Sequence, residues 1–194
     1  MALENYTVHY CARKDISAFI ETNHYSGSIN GCIADYSFKL LNPTGELIGA
    51  MFFGRMAMAN QYKRFSPLES DVTELRRLCC IDNTPKNTES FFIGHALRWL
   101  KKNTTVKKVV SYADAEYGHT GIVYKAANFE YLGKKAGAKV ILHNGKQYHD
   151  KAIRTYYKGE LKPFAKRLKD ALEKGEATYK TTAGKHTYVF TLRK

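Results

Sequence analysis

SYADAEYGHTGIVYKAANFEYLG, residues 111–133, joins a β-rich run to a polar loop and then to a helical pattern. Val109 and Val110 lead into Tyr112-Ala113-Asp114, and Gly118-His119-Thr120-Gly121 then opens what reads as about three turns of helix, stopping near Asn128. Strand, loop and helix in succession put the Asp114 carboxylate at the carboxyl end of a strand. Backbone N–H groups at a helix start lie beside it, where ligands of open α/β sheets sit. Tyr124 falls three residues after Gly121 and four after Thr120, so its phenol shares their face. Gly118 and Gly121 allow a ligand to approach the backbone closely. A tight turn and a core aromatic would explain the same spacing, so chemistry and packing stay open here.

On the amino-terminal side, Tyr6–Tyr10 alternates as a strand and Arg13–Asn23 carries Ile16, Phe19 and Ile20 at helical spacing. That helix ends in the polar cluster Asn23-His24-Tyr25-Ser26-Gly27. Cys32–Leu40 and Glu46–Phe53 form a hairpin about Asn42-Pro43-Thr44-Gly45. Gly54–Ser70 is polar, with Arg55, Lys63 and Arg64 around Tyr62 and Phe65; it reads as a loop over a bound substrate or as an irregular surface connection. Val72–Ile81 is a further strand. Asn87 then caps a helix with Glu89 in its first turn and Ile93, Ala96, Leu97 and Leu100 on one stripe. The free N–H groups of Asn87-Thr88-Glu89-Ser90 make a candidate anion site.

On the carboxyl-terminal side, Phe129–Leu132 and Ala138–His143 read as strands, and Asn144-Gly145 turns the chain into a return strand over Gln147–Tyr156. Leu161, Phe164, Ala165, Leu168 and Leu172 make an amphipathic helix ended by Gly175, with Lys162, Lys166, Arg167, Lys169 and Lys174 mostly off the apolar stripe. Thr187–Leu192 closes the chain as a strand.

The 194 residues suit one domain, with a basic extension from about residue 139. Net charge is +13, and it is unevenly placed: residues 1–97 hold 9 Lys/Arg against 10 Asp/Glu, residues 98–194 hold 22 against 8. With 14 Tyr and 10 Phe, so basic a half favours a polyanion partner, because cations neutralise phosphates and rings stack on bases. A merely solvated Lys-rich surface is the alternative. Cys11, Cys32, Cys79 and Cys80 make no CxxC pair or zinc spacing and read as reduced thiols of a cytoplasmic protein. No apolar run approaches membrane-spanning length, and no leader is expected.

Several strings together resemble the Mom family of phage DNA-modification proteins. They are Asn23-His24-Tyr25-Ser26; Glu74-Leu75-Arg76-Arg77-Leu78; Pro85-Lys86-Asn87-Thr88-Glu89-Ser90 running to Ala96-Leu97-Arg98-Trp99-Leu100; and Tyr112-Ala113-Asp114 with Gly118-His119-Thr120-Gly121, Tyr124, Ala127, Asn128 and Gly133. The resemblance covers roughly residues 20–135. It implies a GNAT-like fold, a central, mostly antiparallel twisted sheet flanked by helices, which the element order read above also gives. It further implies conversion of adenine in DNA to its carbamoylmethyl form on the exocyclic amine, shielding phage DNA from host restriction in the host cytoplasm. His24, Tyr25, Asp114 and Tyr124 match the family's functional positions. GNAT enzymes hold the coenzyme A pyrophosphate on an Arg/Gln-x-x-Gly-x-Gly/Ala loop, whereas Asp82–Ser90 contains no glycine.

An adenine amine shares its lone pair with the ring, so it needs a base for its proton and a pocket that holds it against the donor. His24 and Asp114 are the candidate bases, Tyr124 the candidate acid toward a departing thiolate, and Tyr25 a stacking partner for a flipped or unpaired base. Asn87, Thr88, Gly118 and Gly121 would hold an acetyl-CoA or another acyl or glycyl donor. Arg55, Lys63, Arg64, Lys162, Lys166 and Lys169 would contact DNA phosphates. Iron on His24, Tyr25 and Asp114 is a further reading. An acyltransferase for another substrate and a non-catalytic nucleic-acid-binding module are the rivals.

Overall fold

Alternation along Leu47–Gly54 sets up both faces of the main sheet. Met51 and Phe53 point to one side and Ala50 and Phe52 to the other, all fully buried. The computed structural model describes residues 3–193. Its internal contacts divide the chain into two units, one holding residues up to Ala113, Gly121–Gly133 and the chain from Thr187, the other holding Asp114–Thr120 and Lys134–His186.

In chain order the elements are β1 (Thr7–Cys11), α1 (Lys14–Asn23), β2 (Tyr36–Leu41), β3 (Leu47–Gly54), β4 (Val72–Cys80), α2 (Thr88–Asn103), β5 (Lys108–Asp114), α3 (Ile122–Ala126) and β6 (Glu130–Lys135). There follow β7 (Lys139–His143), β8 (Lys146–His149), β9 (Tyr156–Tyr157), β10 (Glu160–Leu161), α4 (Pro163–Glu173), β11 (Thr178–Thr181) and β12 (Lys185–Thr191). The sheet order is β1-β2-β3-β4-β5-β12-β6. The first four strands pair antiparallel and β4 pairs parallel with β5. This is the mixed α/β sheet that the periodicities predict.

Two helices cover the faces built by β3. Phe92, Ile93, Ala96, Leu97 and Leu100 of α2 pack with Met51 and Phe53, and Ile16 and Ile20 of α1 pack with Ala50, Phe52 and Cys79. Each such side chain contributes roughly 1.5–3 kcal/mol on leaving water. In the second unit, Ile141, Leu168, Ala171 and Ala177 make a smaller core under α4. Among the described residues no helix is long and apolar enough to cross a membrane.

Several local expectations need correction. The helix of about three turns is instead α3, five residues long, because Gly121 (φ 79) before it and Asn128 (φ 61) after it both take left-handed backbone. Asn87 stands at the start of α2 but in the left-handed region (φ 69), and its side chain makes no capping bond. The return strand ends at His149, where the chain winds into a 3-10 turn over Asp150–Ile153 and then the separate hairpin β9–β10. β11 pairs with β7 although all four of its residues are exposed, so no apolar alternation marks it.

Candidate active site

β4 starts apolar and takes on charge in mid-strand. Against β3 its register slips at this point, since Phe52 faces Arg77 and Phe53 faces Leu75, leaving Arg76 as the extra residue. Such a bulge bends the strand and re-aims a side chain. On the other edge, β4 pairs with β5 only over Val72–Leu75 and Lys108–Ser111. Among the described residues that ladder ends there. Arg76–Cys80 and Tyr112–Ala113 lie beyond it, and strands whose ladder stops midway offer backbone N–H and C=O groups to a ligand.

The side chains at this opening are buried and polar. Glu74, only 8% exposed, accepts from Ala57 N at 3.2 Å and pairs with Arg76 Nη1 at 3.6 Å. Arg76 also donates to Arg55 O at 3.2 Å and to Cys32 Sγ at 3.5 Å, while its Nε is buried with no hydrogen-bond partner. Gln61 Nε2 donates to the Tyr112 hydroxyl at 2.7 Å, and the nearby Arg64 charge favours the ionised phenol. Burial raises the Tyr112 phenol above the usual tyrosine range, and the Glu74 charge adds to this.

Tyr124 lies in α3 with its ring against Tyr188 and Phe129, at centroid distances of 5.3 and 5.7 Å. Part of the ring reaches the surface, yet its phenol pKa is raised, first by burial and then by the Glu74 charge, with the Ser111 hydroxyl acting in the opposite direction. Ser111 Oγ is itself buried and off the geometry of a full hydrogen bond. A phenol so placed is protonated at neutral pH and can give a proton to a departing anion. Gly121 supports it from below, for a Cβ there would stand 2.3 Å from Tyr188 Cε2. Tyr188 packing therefore accounts for this glycine. Gly118 (φ 73) faces open space.

His24 caps the carboxyl end of α1, its amide donating to Ile20 O at 2.9 Å. Its Nδ1 lies 3.1 Å from Ser26 N and 2.9 Å from Ser26 Oγ, so the ring is held within its own turn. Tyr25, half exposed, tilts over the imidazole at a centroid distance of 4.2 Å. Asp114 belongs to the second unit, where Oδ1 accepts from Glu116 N at 3.1 Å and Oδ2 pairs with Lys185 Nζ at 3.0 Å. It is thus both a turn cap and an ion-pair partner.

At the start of α2, Thr88 is fully buried and its hydroxyl donates to Pro85 O at 2.6 Å. Its amide donates to the same carbonyl at 3.2 Å, so both donors of Thr88 are already used. Phe91 N makes the first helical bond, to Asn87 O, so the Glu89 and Ser90 amides precede the first rung. Those amides suit an anion, and left-handed Asn87 stands where a phosphate-binding loop commonly has glycine. Arg55 lines a hollow of about 260 Å³ with Asp35, Tyr36, Glu69 and Thr73. Lys63 and Arg64 are exposed on a 3-10 turn, and Lys162, Lys166 and Lys169 on α4. Among the described residues no group of three or more His, Cys, Asp or Glu gathers to hold a metal, so the iron reading draws no support from the geometry.

The family model of the Mom protein family matches residues 5–194. The chain belongs to the Mom family. The methylcarbamoylase Mom of Escherichia phage Mu is 30% identical over 145 residues, a match spanning 72% of this chain and 58% of that relative. This chain also shares its fold with N-acetyltransferases. A ribosomal-protein-S5-alanine acetyltransferase from Vibrio fischeri is 8% identical at a TM-score of 0.55, covering 98% of this chain and 95% of that one. A spermidine N-acetyltransferase from Vibrio cholerae, solved with CoA and spermine, is 12% identical at 0.52, covering 97% and 96%. At such identities the likeness establishes the GNAT-like fold.

Sequence reading singled out Tyr124 but passed over Glu74, Arg76, Tyr112 and Ser111 as site-forming residues. Opposite charges two positions apart in an otherwise apolar strand were the available signal, since residues i and i+2 share a face. Ser111 left no signal, because a serine in a strand is ordinary.

Proposed function

We propose that this protein is a transferase that modifies adenine in phage DNA on its exocyclic amine, producing the carbamoylmethyl form and so protecting that DNA from restriction. Membership of the Mom family over residues 5–194 carries this reading. Its support in the molecule is the opening between β4 and β5, where the ladder ends at Ser111, whose buried hydroxyl neighbours the Tyr124 phenol, and where Arg76 follows Leu75 as the bulged residue of β4.

An acyl-CoA or related acyl or glycyl donor would lie along this opening, its anionic groups at the Glu89 and Ser90 amides. When bound it would supply the methylene beside its carbonyl as the carbon to be joined to nitrogen, with the group on that methylene leaving. Tyr124 gives a proton to the leaving group, Arg76 holds a developing negative charge, and Asp114 takes the amine proton. His24 orients the base, with Tyr25 beside the imidazole as a stacking partner. A carbamoylmethyl group joins nitrogen through an alkyl carbon, which simple acetyl transfer does not form, so the donor carries more than an acetyl thioester. Arg55, Lys63, Arg64, Lys162, Lys166 and Lys169 contact phosphates, which position DNA without reading its sequence.

Expression in a bacterial host, digestion of its DNA to nucleosides and mass spectrometry test the reading. A deoxyadenosine heavier by one carbamoylmethyl group is the expected product. Unmodified deoxyadenosine from cells holding folded protein would overturn it. Asp114→Asn should abolish the product while keeping the fold, because the amide preserves the Oδ1 acceptor for Glu116 N and the Lys185 ion pair lost with the charge is solvent-exposed on the lysine side.

A further inference from the structure

Two neighbouring tyrosines stand out on the second unit. β9 and β10 are joined by Lys158-Gly159 with φ of 52° and 82°, the paired left-handed backbone of a tight two-residue hairpin. Tyr156 and Tyr157, 63% and 64% exposed, are the most exposed tyrosines among the described residues. Their foot is anchored, since Glu160 of β10 accepts from Lys166 Nζ of α4 at 2.8 Å. Cations surround the rings: Lys158 and Lys162 Nζ lie 5.7 and 6.0 Å from the Tyr157 centroid, and residues 156–169 hold five Lys/Arg against one Glu.

Large rings held in water on a rigid turn mark a contact surface. Successive residues of a strand face opposite sides, so the two rings point apart and each offers a flat face of its own. Ammonium groups beside such faces match a polyanion whose bases can stack, the combination used for single-stranded nucleic acids. A closed duplex hides its base faces, whereas unpaired nucleotides present them.

We propose that the Tyr156–Leu161 hairpin is a stacking platform for unpaired nucleotides, giving the protein a preference for single-stranded or locally opened DNA over closed duplex. This rests on the reading of DNA as substrate and specifies its form. Fluorescence anisotropy of the full chain with a labelled single strand and with the matching duplex, over a salt series, tests it. Tyr156→Ala/Tyr157→Ala should weaken single-strand binding about tenfold or more and leave duplex binding within about twofold. Tyr156→Phe/Tyr157→Phe, which keeps the ring faces, should bind as the parent does. Parent-like single-strand binding by the alanine variant would overturn the platform alone, as would equal losses on both DNA forms. A parent protein that binds no DNA in any form would instead overturn the reading of function on which the platform rests.

Discussion

The two units invest their polar side chains in opposite ways. In the first, the charges of the candidate site are enclosed: Glu74 and Arg76 sit inside a strand, held by Ala57 N, Arg55 O and Cys32 Sγ, next to phenols whose protons burial retains. In the second, charge is abundant and open, with Lys162, Lys166 and Lys169 exposed along α4 above a small aliphatic core. Enclosed groups act strongly at short range because water does not screen them, whereas solvated groups act collectively and weaken with salt. An enclosed arrangement suits chemistry and an open one suits capture of a polyanion.

The largest effect expected of this contrast is on turnover. Tyr124→Phe should lower adenine modification about 10²–10³-fold while barely altering stability, because only the acidic proton is lost. Modification at the parent level, measured as modified deoxyadenosine, would place the chemistry elsewhere. The same variant should also flatten alkaline unfolding. With the folded phenol raised above its ordinary 10.0, the native protein keeps a proton that the unfolded chain releases, so this contribution is present below about pH 10 and is lost as pH climbs through the folded value.

Stability separates the units next. Gly121→Ala would drive a Cβ into buried Tyr188 from a left-handed backbone and should cost about 3 kcal/mol in denaturant unfolding. Gly118→Ala shares the positive φ but meets open space, so about 1 kcal/mol is expected. Equal costs would show that backbone strain outweighs packing at both sites. Glu74→Gln comes next, at about 2 kcal/mol, because it leaves the Arg76 charge uncompensated in a buried place.

Smallest and most dependent on conditions is the charged surface. Reversing Lys162, Lys166 and Lys169 should lower duplex affinity several-fold at low salt and reduce the salt slope, without changing which base is modified. Unchanged low-salt affinity would show the α4 face to be merely solvated.

Much of this was legible in the chain itself. Alternation in Leu47–Gly54, the stripe of Ile93, Ala96, Leu97 and Leu100, and the Asn144-Gly145 turn are local patterns, and local backbone preference with burial suffices to place them. α3 could not be sized that way, since two left-handed residues, Gly121 and Asn128, cut an otherwise helical composition to five residues. β11 was invisible because its exposed TYKT gains its place only by pairing with β7. The residue types of the site were partly legible too: Tyr124 stood out by its spacing from Gly121.

By itself, then, the sequence determined the mixed α/β class and the asymmetry of charge, both properties of neighbours along the chain or of composition. Only the tertiary structure decided that Arg76 is the extra residue of a bulge, that β4 and β5 stop pairing after Leu75 and Ser111, and that Gly121 is required by Tyr188. Each of these is set by residues distant in sequence meeting in space. Strand register and close packing depend on which partner arrives, and no local pattern encodes that partner.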